Sequence, residues 1–122
     1  GDENKDGYFS IDMETAKEFF TVQGNYVIVD VRRPDEYSEG HIPGAINIAN
    51  ESIGKDAPSE LPDMDQPIFV YCRSGRRSKQ ASKKLAAIGY KNVIEFGGIL
   101  DWTGEIEKLD VERQETETKI IN

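Results

Sequence analysis

An α/β domain built on a parallel sheet is the fold class that the sequence predicts, and three observations predict it. Two runs, residues 26–30 (Tyr-Val-Ile-Val-Asp) and 68–71 (Ile-Phe-Val-Tyr), are apolar without alternation, so neither face of them is meant for water. Stretches with helical periodicity alternate with such runs, as the crossovers between parallel strands require. The 122 residues, 37% hydrophobic and 31% charged, suffice for one buried core and leave little length for a second.

The elements follow in order. Residues 1–7 are polar and charged and read as a flexible acidic segment, the domain is expected over 8–104, and 105–122 reads as a polar tail with room for some helix. Asp12 is placed to cap a helix whose inner face is Met13, Ala16, Phe19 and Phe20 and whose end lies near Gly24 and Asn25. Residues 26–30 form a buried strand, 45–48 (Ala-Ile-Asn-Ile) a second, and Gln66-Pro67 introduces a third over 68–71. The spacing predicts a helix over 76–88 that turns Ala81, Leu85 and Ile88 inward and Lys79, Lys83 and Lys84 outward, with Gly89 ending it in the left-handed conformation. A last strand over 92–96 runs into Gly97-Gly98.

Composition excludes several classes of function. No apolar run approaches the roughly 18 residues of a membrane span. A single cysteine rules out a disulfide within the chain and a cysteine-rich zinc site. A net charge of −8 argues against nucleic acid as a partner. Asp2, Asn4, Asp6 and Gly7 open like a calcium loop, but the twelfth position holds Met13 where a bidentate Glu is needed, so the segment reads as an acidic terminus and no metal is expected. The chain starts at Gly1 with no targeting signal, as a processed or truncated form does; a lone reduced thiol suits the cytoplasm, and an exported mature chain is also compatible.

The acidity is unevenly spread. Arg73, Arg76, Arg77, Lys79, Lys83 and Lys84 follow the only cysteine without an intervening acid, so the other nine basic residues face all 23 acidic ones. Local potential governs the capture of small anions, and this arrangement puts the positive potential next to Cys72. The strand over 68–71 delivers Cys72 to the carboxyl edge of the sheet, where open α/β sheets bind ligands. Gly75 lets the following turn point its amides inward, and the next helix closes the cup with its positive end. Such a cup favours a thiolate, the useful nucleophile. A lone cysteine at a strand end is more often a small buried hydrophobe; the arginine-rich turn after Cys72 favours the nucleophile.

The segment Cys72-Arg-Ser-Gly-Arg-Arg77 resembles the six-residue active-site loop of rhodanese-type sulfurtransferases. Asp30-Val-Arg32, Glu36-Tyr37 and residues 40–47 (Gly-His-Ile-Pro-Gly-Ala-Ile-Asn) are similar to that family's upstream signature, and Gly97-Gly98 with Trp102 to its closing motif. The resemblance implies a three-layer α/β/α fold around a five-stranded, mainly parallel sheet. It also implies sulfane-sulfur transfer from an anionic donor such as thiosulfate, through a Cys72 persulfide, to cyanide or a thiol, a protein thiol included. No cofactor is implied, and the expected state is a monomer. By matched position the backbone of Arg73, Ser74, Gly75, Arg76, Arg77 and Ser78 cradles the persulfide or the donor oxygens. Arg73 and Arg77 are the side chains best suited to a sulfonate; Arg76 is placed to face solvent, and Arg77, at an exposed rim, contributes little to stability. Asp30 and Arg32 read as a pair supporting the sheet edge, His41 as part of a structural turn, and Trp102 as packing near the pocket wall. The other readings are a rhodanese-like module that only carries sulfur for a partner or only recognises one, and a phosphatase or arsenate reductase. Phosphatases place Arg after five intervening residues, Cys-x5-Arg, where this chain has Ser78 and Arg77 falls one position short, and often His before the cysteine, where this chain has Tyr71.

Overall fold

A computed structural model describes residues 2–3 and 6–109, so expectations for the remaining positions, most of the tail among them, lie outside the described residues. Among the described residues six strands form one sheet in the order β1-β2-β6-β5-β3-β4. They are β1 (Asp2–Glu3), β2 (Phe9–Ser10), β3 (Val27–Asp30), β4 (Ile46–Asn47), β5 (Ile68–Cys72) and β6 (Val93–Gly98). Five of them are parallel, and β1 adds to the edge antiparallel to β2. Part of the segment expected to be flexible therefore belongs to the sheet.

The central strand β5 is buried along its whole length, and its side chains divide the core in two. Ile68, Val70 and Cys72 pack with Val29, Val31, Val93, Ala81 and Leu85 on the face covered by α3 (Arg76–Ile88). Phe69 and Tyr71 pack with Ile28, Phe96, Met13 and Ala16 on the face covered by α1 (Met13–Phe19), where Tyr37 of α2 (Pro34–Glu39) also lies. Successive strand residues point to opposite faces, so an uninterrupted apolar run is what a doubly covered strand needs. The result is the three-layer α/β/α arrangement.

α1 begins where Asp12 accepts the Thr15 amide at 2.8 Å. It ends at Phe19, earlier than expected, because Thr21 and Val22 donate three residues back, to Glu18 (3.3 Å) and Phe19 (3.2 Å), and tighten the chain into turns. Phe19, expected inward, is 55% exposed. α3 keeps its expected limits, and Gly89 follows it at φ 131°. Residues 105–109, expected beyond the domain, are tied to it: His41 and Glu107 exchange backbone hydrogen bonds of 2.8 and 2.9 Å, and Leu109 donates to Ser38. Among the described residues no helix is long and apolar enough to cross a membrane.

Candidate active site

β5 ends on Cys72, and the turn into α3 is set by Gly75, which caps the helix at φ 106° in the left-handed region that glycine alone enters freely. That conformation brings the Gly75 amide back onto the sulfur, where it donates to Cys72 Sγ at 3.0 Å. The first amides of α3 have no acceptor within the helix, so its positive end opens beside the thiol. Cys72 is 1% exposed, which puts its sulfur at the floor of the cup formed by the loop.

The wall opposite comes from β6. Between β5 and β6 the register slips, so that Val70 pairs with Glu95 but Cys72 pairs with Gly98. Gly97, at φ 104°, supplies the bend. Gly98 lies so close to the loop that an added Cβ would come within 2.1 Å of the Arg73 carbonyl oxygen. Leu100 then donates its amide to the same carbonyl at 3.2 Å. The paired glycines thus serve as the surface against which the cysteine loop is moulded.

Behind the sulfur stands Glu95, absent from the sequence-based candidates, reached through the side chain of Ser78, for which only a backbone role was expected. The Cys72 thiol donates to Ser78 Oγ at 3.4 Å, and the Ser78 hydroxyl donates to Glu95 Oε2 at 2.6 Å. The Gly97 amide donates to the same carboxylate oxygen at 2.9 Å. Ser78 and Glu95 are both buried.

Arg73, Ser74 and Arg76 are exposed around the mouth. Arg77 is not at an open rim: it is partly buried and holds Glu36 of α2 through two hydrogen bonds of 2.6 and 3.0 Å. Its hydrogen bonds hold the Glu36 carboxyl at about 2 against the opposing effect of burial, with help from the Arg33 amide. A folded-state pKa below the ordinary 4.5 means that this pair adds stability above pH 4.5 and loses it as the pH falls toward 2. Glu36→Gln is therefore expected to flatten the acid limb of the stability curve across that interval, read as urea midpoints at successive pH values. An unchanged acid limb would show that the pair contributes nothing.

Asp30, fully buried at the end of β3, accepts from the Arg32 amide and from Arg32 Nε and Nη2, the shortest of these at 2.7 Å, and from the Tyr71 hydroxyl at 2.7 Å. Burial works against the Arg32 cation, yet the hydrogen bonds and charge of Asp30 outweigh it and raise its pKa. Burial first, then the Asp30 charge, pushes the Tyr71 phenol well above its ordinary value. Tyr71 also accepts the Ile42 amide at 3.0 Å, so the residue before the cysteine is pinned to β3 and to the 40–44 turn. His41, buried, stacks on the Tyr37 ring at 3.8 Å with Nδ1 2.8 Å from the Tyr37 carbonyl. Trp102 packs against Phe20 and donates Nε1–H to the Glu105 carbonyl, on the α1 face of the sheet.

A polar groove of about 510 Å³ borders the loop, lined by Arg32, Arg33, Glu36, Arg73, Leu100 and Ile106 among others. Among the described residues no group of three or more His, Cys, Asp or Glu side chains is placed to hold a metal ion.

The family model of the rhodanese-like domain matches residues 13–105. A protein of Bacillus subtilis (strain 168) named putative sulfur carrier protein YrkF is 37% identical over 106 residues, 86% of this chain, which spans 56% of that protein's length. Thiosulfate sulfurtransferase PspE of Escherichia coli (strain K12) is 38% identical over 73 residues, 60% of this chain and 70% of that one. A solved structure described as rhodanese with anions from E. coli superimposes with a TM-score of 0.63 at 35% identity, covering 69% of this chain and 99% of that one. Buried cysteine, glycine-set loop and paired-glycine wall all fall within the matched residues, and the chain belongs to the rhodanese-like domain family.

Proposed function

We propose that the protein transfers sulfane sulfur from a small anionic donor such as thiosulfate to a thiophilic acceptor, carrying it as a persulfide on Cys72. The observation that carries this reading is the Gly75 amide directed at Sγ beside the start of α3, a setting that stabilises negative charge on sulfur. In the first half-reaction the Cys72 sulfur attacks the outer sulfur of thiosulfate, and sulfite leaves with the electron pair of the broken S–S bond. In the second, cyanide or a thiolate attacks the outer sulfur and the Cys72 sulfur leaves. With one cysteine in the chain, the acceptor comes from outside it.

Arg73, exposed at the mouth and lining the bordering groove, receives the donor's oxygens in this scheme. The charge of Arg77 acts on Cys72 from within its pair with Glu36. Arg73→Ala is accordingly expected to raise the KM for thiosulfate several-fold while stability stays within about 0.5 kcal/mol of the original. Equal falls in stability and donor use would make Arg73 structural.

Intact mass tests the function directly. The protein should gain one sulfur on treatment with thiosulfate and lose it to cyanide or a thiol, and Cys72→Ser should gain none. Thiosulfate treatment that leaves the mass unchanged sinks the donor assignment; loading from a persulfidated protein alone would make this chain a partner-dependent sulfur carrier.

A further inference from the structure

We propose that Ser78 and Glu95 form a proton relay to Cys72, in which the thiol proton passes through the Ser78 hydroxyl to the Glu95 carboxylate as sulfur is loaded and returns as sulfur is delivered. The sulfur-transfer reading of Cys72 supplies the chemistry, and the buried geometry supplies the path. Donor and acceptor alternate along it: S–H to Oγ at 3.4 Å, then O–H to Oε2 at 2.6 Å.

The carboxylate needs an explanation in its own right. Glu95 is 4% exposed inside a strand, and among the described residues no cation lies within ion-pair distance of it. Its two hydrogen-bond donors, Ser78 in the first turn of α3 and the Gly97 amide of β6, come from the two sides of the cup. Burying such a group is costly unless it is hydrogen-bonded or paired. The nearby charges are committed elsewhere: Arg77 on α3 to Glu36, Asp30 on β3 to Arg32 and Tyr71, while Arg73 and Arg76 are exposed at the mouth. A thiolate and a carboxylate both ionised here would place two like charges in one buried site, joined by the hydrogen bonds of Ser78.

The relay keeps one negative charge in the site through both half-reactions. In loading, the Cys72 thiol, the Glu95 carboxylate and thiosulfate give the Cys72 persulfide anion, the Glu95 carboxylic acid and sulfite. The new bond joins Sγ to the donor's outer sulfur, and the proton moves from Sγ to Glu95. In delivery, an acceptor thiolate bonds to the outer sulfur, the Sγ–S bond breaks with its electron pair left on Sγ, and the Glu95 proton returns there, restoring thiol and carboxylate and releasing the acceptor's persulfide. Protonation of the departing Cys72 sulfur is general acid catalysis.

The test uses protein labelled with ¹³C at the glutamate side-chain carboxyls, the Glu95 signal being assigned by its loss in Glu95→Gln. At neutral pH it should sit at the carboxylate position in the resting protein and move to the carboxylic acid position once intact mass shows one added sulfur. Single-turnover delivery to a thiol should slow by roughly 10²-fold in both Glu95→Gln and Ser78→Ala, and in Glu95→Gln its pH profile should lose one inflection. A Glu95 signal unmoved in sulfur-loaded protein, or wild-type delivery rates and profile in both variants, overturns the relay. If the wild-type protein gains no sulfur, the sulfur-transfer reading fails separately. The relay is then judged in the resting state, by whether the Glu95 titration differs between the wild-type protein and Cys72→Ala; identical curves overturn it.

Discussion

Gly98→Ala is expected to reduce sulfur loading by about 10²-fold or more and to cost roughly 1–3 kcal/mol of stability. The backbone of Gly98 is extended, at φ −134°, so alanine meets no conformational penalty there. The obstacle is space: its Cβ would stand 2.1 Å from the Arg73 oxygen, 2.4 Å from the Arg73 carbonyl carbon and 2.6 Å from Ser74 Cα. All three atoms are main chain, so no side chain can swing aside, and the loop after Cys72 must shift as a unit. A displacement of about 1 Å at a reacting centre is enough to lose two orders of magnitude in rate, because the Gly75 amide and the sulfur no longer meet in register. Gly54→Ala serves as the matched control, since a Cβ there meets nothing within 4 Å. Loading rates and urea midpoints of the two variants check the prediction; a Gly98→Ala protein that loads sulfur like Gly54→Ala refutes the moulding of the loop on β6.

The loop and the wall that shapes it differ in how far sequence reveals them. Cys72 to Ser78 is contiguous, and its sequence of apolar run, cysteine, glycine and basic helix start carries its own geometry. α3 was readable to both ends because its inward positions recur at helical spacing and Gly89 stops it. β3 and β5 were readable because burial on both faces removes alternation. The two-residue strands β1 and β2 and the six-residue helix α2 are too short for any period to show, and α2 buries none of its residues fully. Contacts between distant positions were the least visible. Glu36 and Arg77 are 41 residues apart, and Ser78 and Glu95 are 17 apart. For Glu95 a signal did exist: one acid stood within a strand whose neighbours, Val93 and Phe96, are buried on opposite faces. A carboxylate in such a place has to be bonded, but only the register with β5 and α3 shows to what.

Asp30→Ala is expected to cost about 3–5 kcal/mol, the range for removing one partner of a buried ion pair. The loss exceeds that of an exposed pair because it leaves two groups stranded. Arg32, 6% exposed, would keep its bond to the Gly40 carbonyl but no counter-charge, and the Tyr71 hydroxyl would lose its acceptor while still receiving the Ile42 amide. The coupling between these groups can be measured. Tyr71→Phe alone should cost about 1 kcal/mol, a typical net value for one hydrogen bond, whereas in an Asp30→Ala background the same change should cost far less, because the bond is already gone. Equilibrium unfolding in urea gives all four corners of this cycle, and additive losses would show that the Tyr71 hydroxyl draws nothing from Asp30. The consequence reaches the sulfur through the chain itself: Tyr71 immediately precedes Cys72, and its ring on the α1 face fixes the turn of β5 that points the cysteine to the other face. Asp30→Ala protein that remains folded at low temperature should therefore load sulfur more slowly than the original at saturating thiosulfate, while Arg73→Ala should be restored by excess donor. A network that holds the nucleophile in place changes kcat; a charge that gathers the donor changes KM.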